Sequence, residues 1–449
     1  MADNEPRVAP RVGVPAQFRA STPHAGVPAQ NRVGTPHAGV PARNWAGNVT
    51  WSAARRHRPT SVDELRALVA ASRRIRPVGT RHSFNRLADT TGDLVAVDGL
   101  PPTVEVDRTR GTATVAAGLR YGEVAARLHE QGYALPNLAS LPHISVAGAV
   151  ATATHGSGER NGNLATSVVA VELVTAAGDL VRVDSTDGRF AALVVGLGAF
   201  GVVTRLTLAL LPTFDVRQYV HLDLPREAMD EAFASAYSVS LFTDWRGTGF
   251  HQVWRKQRAD QDPPPARWLG ATAADTPRHP VPGLPGDTCT EQFGVSGPWH
   301  ERLPHFRPGF TPSSGAELQS EYHVPRAAAA EALAALDRVR DRIAPVLQVC
   351  ELRTVAADQL WLSPQYDRDT LSIHFTWIAD AGAVAPVVAA VEERLAPFAP
   401  RPHWGKVFDL APAAVAAAYP RFADAVAAMV TADPTGKFRN ELLDRYLPR

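Results

Sequence analysis

The sequence predicts a protein of two domains in which helices are mixed with short strands. At 449 residues the chain is long enough for two domains or three, with a sizeable buried core. The composition changes after Pro212, and we place a domain boundary near residue 215. Before this boundary, Ser61 opens a capping box followed by apolar residues at helical spacing, and the run 75–78 has the character of a strand. The first half is therefore expected to begin with a helix, a strand and a glycine turn.

Composition and charge exclude several classes of protein. Lys and Arg number 46 against 45 Asp and Glu, so no strongly basic face is implied and nucleic acid is excluded as a partner. No apolar run reaches the roughly 18 residues of a membrane span, and the N-terminus lacks the apolar core of a signal peptide. The two cysteines give neither a disulfide framework nor zinc spacing, and the histidines have no HExxH-like spacing. We expect a cytoplasmic protein without a membrane partner and without a metal site.

Residues 1–43 carry a 13-residue repeat rich in Pro, Gly and Ala. Repeats this short cannot bury a core, so this N-terminal extension is expected to be disordered.

The loop after the first predicted strand is a candidate cofactor site. Residues 76–85 read RPVGTRHSFN, a strand end followed by a Gly-Thr turn with one histidine, His82, among small polar residues. Successive N–H groups in such a turn form an anion-binding concavity, which suits a phosphate-bearing cofactor with His82 pointed at it. A plain turn with a surface histidine is the alternative.

Two further stretches bear on the cofactor. Residues 135–158, LPNLASLPHISVAGAVATATHGSG, contain no Asp, Glu, Lys or Arg, so the backbone can approach a bulky flat ligand and bind phosphates. The alternative is a packing helix of small residues. Residues 196–201 form a GxGxxG, but a helical segment (190–195) precedes it and a strand (202–211) follows. A dinucleotide fingerprint needs the reverse order, which argues against a nicotinamide enzyme.

The second half carries polar residues on two predicted strands. A long amphipathic helix is predicted over 327–343, followed by strands over 348–355 and 371–377. Glu351 and Arg353 share one face of the first strand, and His374 lies on the polar face of the second. If these faces meet, the three residues line one cleft, and Lys406, one of only three lysines, is a candidate to join them. Ordinary solvent-facing alternation is the alternative.

Together these stretches resemble the FAD-linked oxidases of the vanillyl-alcohol oxidase type and, within them, the bacterial alditol oxidases. The resemblance runs from Asn44 nearly to the end of the chain. It is carried by residues 79–85, the run 135–158 and the segments NWAGN (44–48), GAFGVVT (198–204), LFTDW (241–245), CTEQFG (289–294), ELRTV (351–355), HFTW (374–377) and HWGKV (403–407).

The resemblance implies an α+β fold with an FAD-binding domain over 44–215, a mixed-sheet substrate cap over 216–415, and a C-terminal segment, 416–449, that returns to the FAD domain. It implies a monomer with FAD bonded covalently to His82. The other residues implied to hold FAD are Pro77, Val78, Gly79, Thr80, Arg81, Ser83, Ser140, Ser145, Gly148, Thr152, Ala153, Thr154, His155 and Val202. In the wider group a glycine often precedes the histidine. Arg81 stands there, which costs on the order of 1 kcal/mol if φ is positive.

The resemblance also implies a reaction. A terminal CH–OH of a polyol such as xylitol or sorbitol is oxidised to the aldehyde, and O2 is reduced to H2O2. His374 is implied as the base, with Lys406 stabilising the alkoxide. The implied substrate contacts are Ser140, Gln292, Glu351, Arg353 and Thr376. Three alternatives stay open: a flavin dehydrogenase of an aldonolactone or sugar acid, a non-catalytic binding protein, and the disfavoured nicotinamide dehydrogenase.

Overall fold

A computed structural model describes residues 40–311 and 313–449. The prediction of disorder therefore lies outside the described residues for positions 1–39. Residues 40–43, which the sequence assigned to the same extension, are folded. Val40 is buried, Arg43 forms an isolated β-bridge with Thr50, and the Trp51 N–H donates to the Ala42 carbonyl at 2.9 Å.

The described residues form twenty strands and twelve α-helices, some of them very short. The strands are β1 Arg55–His57, β2 Ile75–Val78, β3 Asp93–Ala96, β4 Val104–Asp107, β5 Thr112–Ala116, β6 Tyr133–Ala134, β7 Val168–Val174, β8 Leu180–Asp184, β9 Val202–Ala209, β10 Leu211–Pro212, β11 Asp215–Leu224, β12 Ser238–Thr243, β13 Phe250–Arg258, β14 Arg267–Trp268, β15 Ala271–Ala273, β16 Gly297–Pro298, β17 Glu317–Pro325, β18 Leu347–Val355, β19 Thr370–Ile378 and β20 Arg401–Pro402. The helices are α1 Val62–Ala71, α2 Tyr121–Glu130, α3 Val146–Ala151, α4 Phe190–Leu193, α5 Met229–Ala234, α6 Trp299–Arg302, α7 Ala329–Asp337, α8 Arg340–Ile343, α9 Ala381–Leu395, α10 Pro412–Ala418, α11 Phe422–Ala432 and α12 Glu441–Tyr446.

The first half of the chain contains a small parallel sheet and a larger antiparallel one. The parallel sheet has the order β1-β3-β2, and the antiparallel sheet has the order β4-β5-β9-β7-β8. The predicted capping box is confirmed at α1, where Ser61 Oγ accepts from the Glu64 N–H at 3.1 Å. The β2 strand leads directly into the loop that carries His82, as predicted. The helix-then-strand context of residues 196–201 is confirmed by α4 and β9.

The second half is built on one large antiparallel sheet. Its order is β14-β15-β11-β13-β12-β18-β19-β17-β20, with β16 paired to β11. At the centre, Glu351 of β18 pairs with His374 of β19, which pairs on its other side with Glu321 of β17. Side chains directly opposite one another lie on the same face of a sheet, so three ionisable residues form a row. The mixture of helices with largely separate sheets is the predicted α+β class.

The predicted long helix over 327–343 is wrong as a single element. It is divided into α7 and α8, and Val339 between them has φ −122° and ψ 13°, outside helical values. A β-branched residue has restricted side-chain freedom in a helix, and here its side chain is buried in the core.

The last segment of the chain contacts the first half. Ile75 N–H donates to the Lys437 carbonyl at 2.9 Å, and the Asn440 amide donates to the carbonyls of Arg86, Leu87 and Asp89 at 2.8–3.0 Å. The predicted boundaries at residues 215 and 415 stay predictions. Across residues 40–311 and 313–449, no single helix is long and apolar enough to cross a membrane. Together α10 and α11 have the needed length and composition, but the chain bends by 103° between them.

Candidate active site

The His82 side chain is partly buried in the loop that follows β2. Its ring stacks on Trp45 with the ring centroids 5.1 Å apart, and Nδ1 lies 3.1 Å from Thr80 Oγ1. Burial, assisted by the neighbouring positive groups at His143 and Arg81, lowers the pKa of His82 to about 3. The imidazole is therefore neutral. Nε2 is buried without a hydrogen-bond partner in the part of the chain that the structure describes.

The residue before His82 was expected to be strained if its φ is positive, and Arg81 does have this left-handed backbone conformation. Its φ is +66°. The conformation is held by hydrogen bonds, because the Arg81 carbonyl accepts from the Trp45 N–H at 2.8 Å and the guanidinium donates to the Arg43 carbonyl at 3.0 Å. Residues kept in such conformations cluster at functional sites, where the surrounding structure imposes them. Here the strain lies one residue before His82 and fixes the direction of the histidine side chain.

Two cavities meet at this loop. The first has a volume of about 1240 Å³, counting space open to solvent, and extends past His82 to the second-half sheet. The second, about 940 Å³, extends along α3 and residues 196–201. Gly79, Ser145 and Gly148 belong to the walls of both cavities. A Cβ at Gly79 would overlap Ser145 Oγ, and one at Gly148 would lie 2.8 Å from the same atom. Only glycine keeps this shared wall open.

The walls fit an elongated cofactor with a flat ring and phosphates. Residues 146–151 of the small-residue run form the short helix α3, in which Val146, Ala149 and Val150 are buried, so the packing helix given as the alternative is present over this part of the run. The other residues of the run that line the first cavity are Ala139, Ser140, Leu141, Ile144, Ser145, Thr152, Thr154 and His155, and His82 lines it as well. These observations fit FAD: the His82 loop would hold its flat ring, and the walls of the second cavity would hold its diphosphate and adenosine.

Most of the implied cofactor residues line one or both cavities. Ala153 and Val202 do not, because each is fully buried in the core, while Gly201 and Val203 flank Val202 and do line the second cavity. The residues that line the cavities are Pro77, Val78, Gly79, Thr80, Arg81, His82, Ser83, Ser140, Ser145, Gly148, Thr152, Thr154 and His155.

The far side of the first cavity carries a cluster of buried charges centred on Glu321. One carboxylate oxygen, Oε1, accepts from Arg353 at 2.7 Å and from Ser372 at 2.5 Å. The other, Oε2, accepts from Lys406 Nζ at 2.5 Å and lies 3.6 Å from His374 Nδ1. Burial raises the pKa of Glu321, but the Lys406 and Arg353 charges outweigh it and hold that pKa well below its usual range. Glu321 is therefore a carboxylate that keeps two buried cations in place.

His374 is the neutral base candidate of this cluster. Burial, assisted by the charge of Lys406, lowers the pKa of His374 to about 4. Lys406 Nζ lies 2.6 Å from His374 Nδ1, and Nε2 lies 3.1 Å from Thr376 Oγ1. An ammonium group only donates, so the imidazole lone pair is at Nδ1 and the ring proton is at Nε2.

The predicted meeting of the two polar strand faces is confirmed, and solvent-facing alternation is wrong. Glu351, Arg353, His374 and Lys406 all line the first cavity, together with Ser140 and Thr376. Gln292 is outside it. Its amide accepts from the Arg278 N–H at 3.0 Å and donates to the Arg278 carbonyl at 2.7 Å, so both ends are used in holding a loop. The glutamine that lines the cavity is Gln319 of β17.

Sequence reasoning missed Glu321, Gln319 and His305. The first two carried a usable signal, because polar Gln319, Glu321 and His323 alternate along β17 just as the polar residues do along β18 and β19. His305 lies in a loop and carried none. His155, Glu321 and His323 bring possible metal-ligand atoms within 4.8 Å of one another. The two cations already bonded to Glu321 oppose a metal ion there.

Comparison with known proteins agrees with this site. A family model described as an FAD binding domain matches residues 53–184, and one described as D-arabinono-1,4-lactone oxidase matches residues 316–446. An alditol oxidase of a Streptomyces species is 56% identical over 89% of this chain and 97% of that enzyme. An L-gulono-1,4-lactone dehydrogenase of Mycobacterium tuberculosis is 29% identical over 90% of this chain and 98% of the other. The crystal structure of cholesterol oxidase from Brevibacterium sterolicum shares the fold, with a TM-score of 0.73 at 16% identity over 90% of this chain and 96% of that one.

Fold and cavities thus define an FAD-dependent oxidoreductase of the vanillyl-alcohol oxidase type. At this level of identity over nearly the whole chain, the protein belongs to the alditol oxidase family.

Proposed function

We propose that this enzyme oxidises a terminal CH–OH of a polyol, such as xylitol or sorbitol, to the aldehyde, using FAD bonded to His82 and dioxygen as electron acceptor. The observation that carries the proposal is the buried Lys406–His374–Glu321 cluster in the same cavity as the His82 ring. It places a neutral base and a cation together, which is what the loss of a hydroxyl proton requires. The alditol oxidase relative supports the substrate class.

The His82 loop and α3 would hold FAD, which would supply the hydride acceptor for the alcohol carbon and the electrons that reduce dioxygen to hydrogen peroxide. The chain itself handles the hydroxyl proton. The substrate oxygen takes the place of Lys406 against His374 Nδ1 and donates its proton there. Lys406, held by Glu321, then donates to the developing alkoxide. The imidazolium that forms is stabilised by Glu321 Oε2, 3.6 Å from Nδ1.

The remaining polar groups of the cavity suit an uncharged substrate with many hydroxyls. Ser140, Gln319, Glu351, Arg353 and Thr376 present both donors and acceptors. A hydroxyl group donates and accepts, so a polyol leaves few of these groups unpaired, and unpaired buried polar groups are costly.

The reaction is tested by measuring oxygen uptake and peroxide release with xylitol and sorbitol under air. We expect one peroxide per aldehyde formed. Dye reduction that greatly exceeds peroxide formation, with an aldono-1,4-lactone preferred over both polyols, would favour the flavin dehydrogenase instead. The second candidate is supported by the L-gulono-1,4-lactone dehydrogenase relative and by the D-arabinono-1,4-lactone oxidase model that matches residues 316–446. The monomeric state and the cytoplasmic location stay predictions.

The covalent bond at His82 is supported by a neutral imidazole in a residue that lines the first cavity. We expect the acid-precipitated protein to keep its yellow colour, and His82→Ala to release flavin into the supernatant or bind none. The matched control is His129→Ala, which removes a partly exposed histidine that contacts Thr213 outside both cavities and should keep the bound colour. Flavin released from the unmodified protein by acid would refute the bond.

A further inference from the structure

A second series of buried ionisable side chains, connected by hydrogen bonds, ends at Glu351. The proton transfer outlined above does not use this series. It begins at Lys256 of β13, which is 1% exposed. Lys256 Nζ donates to the carbonyls of Leu303 and Pro304 at 2.5 and 3.0 Å, and lies 3.0 Å from His305 Nδ1. These three acceptors match the three protons of an ammonium group. No carboxylate of residues 40–311 or 313–449 forms a salt bridge with it.

Two contacts define the tautomer of His305. Glu351 Oε1, a carboxylate oxygen that only accepts, lies 2.8 Å from Nε2, so the ring proton is at Nε2 and Nδ1 is the acceptor for Lys256, whose pKa burial lowers to about 7. Nε2 also lies 3.5 Å from Ser240 Oγ. The opposite tautomer would place a nitrogen lone pair against the carboxylate. Trp254 and Phe242 pack on the ring with centroids 5.0 and 5.8 Å away, which leaves it little room to rotate.

The tautomer of His305 determines which hydrogen bonds are left to Glu351, which lines the first cavity. Its Oε1 is occupied by His305, with Arg353 Nε a further 3.6 Å contact. Its Oε2 has no hydrogen bond to any described residue, and Arg353 Nε is likewise buried without one. The Arg353 and His305 groups outweigh the effect of burial and hold the pKa of Glu351 below its usual range. The cavity that Glu351 lines therefore has one free acceptor at Glu351 Oε2.

We propose that Lys256 and His305 are positioning residues that determine specificity, by holding Glu351 as a carboxylate with a single free oxygen that selects a substrate hydroxyl over a carbonyl. This inference rests on the proposed polyol oxidation. A hydroxyl donates its proton to Glu351 Oε2. The carbonyl oxygen of a lactone has no proton to donate and sets its lone pairs against the carboxylate.

The test is steady-state kinetics with xylitol and an aldono-1,4-lactone on the flavin-loaded enzyme. In Lys256→Met we expect KM for xylitol to rise on the order of tenfold with kcat within about twofold, because substrate binding and not the proton transfer is affected. The preference for xylitol over the lactone should fall with it. Lys256→Arg keeps the charge and the donor and should recover part of the loss. The matched control is Lys437→Met, since Lys437 also donates to backbone carbonyls, those of Val69 and Ala176 at 2.7 Å, but lies outside the cavity.

An unchanged KM in Lys256→Met, or a loss confined to kcat, would overturn the inference. Should Lys256→Met not fold, His305→Gln and His305→Leu replace it. Glutamine keeps an N–H donor for Glu351 and should keep KM within about threefold, whereas leucine should raise it on the order of tenfold. Equal KM values in these two variants would refute the positioning role. An unmodified enzyme that oxidises no polyol would instead overturn the proposed function, so the two failures are distinguishable.

Discussion

Replacing His374 by alanine lowers kcat for polyol oxidation by about 10²–10⁴-fold, the usual contribution of a positioned general base. The neutral imidazole lies 2.6 Å from Lys406 Nζ, and Glu321 stabilises the imidazolium that forms. The variant should bind FAD normally, because the His82 loop and α3 are unchanged. The measurement is the rate of flavin bleaching by xylitol without oxygen, which reports the hydride step directly.

The control for this substitution is His221→Ala. His221 is 1% exposed on β11 and contacts only the Pro265 carbonyl by hydrogen bond among the described residues, outside both cavities. It therefore reports what the loss of any buried histidine does to folding and flavin content. Bleaching in His374→Ala within about threefold of the unmodified rate would assign the proton to another acceptor.

How much of this site the sequence predicts depends on whether the signal is local. The strand that leads into the His82 loop and the alternation of β18 and β19 are local patterns, and the structure confirms both. That the loop binds the cofactor stays a prediction. Glu351 and His374 meet because β18 pairs with β19. The sequence predicted this meeting only on the condition that the polar faces of the two strands lie together. The insertion of β19 between β18 and β17 is a non-local choice, and for this reason Glu321 was missed although its own strand alternates.

Gln292 shows the opposite failure. It was assigned to the substrate because a motif containing it resembles the family, not because of any pattern in its own element. The structure places it in a loop where both amide atoms bind the Arg278 backbone. Gln319 lies two residues before Glu321 on the same strand face and therefore points into the cavity. Here the alternation of polar residues along a strand indicates the glutamine that lines the cavity, whereas the resemblance of a loop motif to the family indicates one that does not.

We expect the largest loss in the free energy of unfolding from Glu321→Gln. This change removes the negative charge between Lys406 and Arg353 and leaves two buried cations without their shared carboxylate. Breaking a buried ion pair by removing one partner costs about 3–5 kcal/mol of the free energy of unfolding. Urea unfolding at pH 7 measures it. The matched control is Glu392→Gln, since Glu392 is also buried but accepts from neutral donors, Tyr322 Oη and the Asp409 N–H, both at 2.8 Å.

The pH dependence separates this charge effect from simple loss of packing. The folded-state pKa of Glu321 is lowered, so its contribution is fully present above the unfolded value of about 4.3 and is lost as the pH falls toward the folded value. The difference in unfolding free energy between the unmodified protein and Glu321→Gln should therefore shrink below about pH 4. Burial raises the pKa of Glu392, so its variant should show no such shrinkage. A difference for Glu321→Gln that stays constant from pH 7 to about pH 3 would mean that the carboxylate acts by shape alone, and that Lys406 needs no counter-charge to hold its position beside His374.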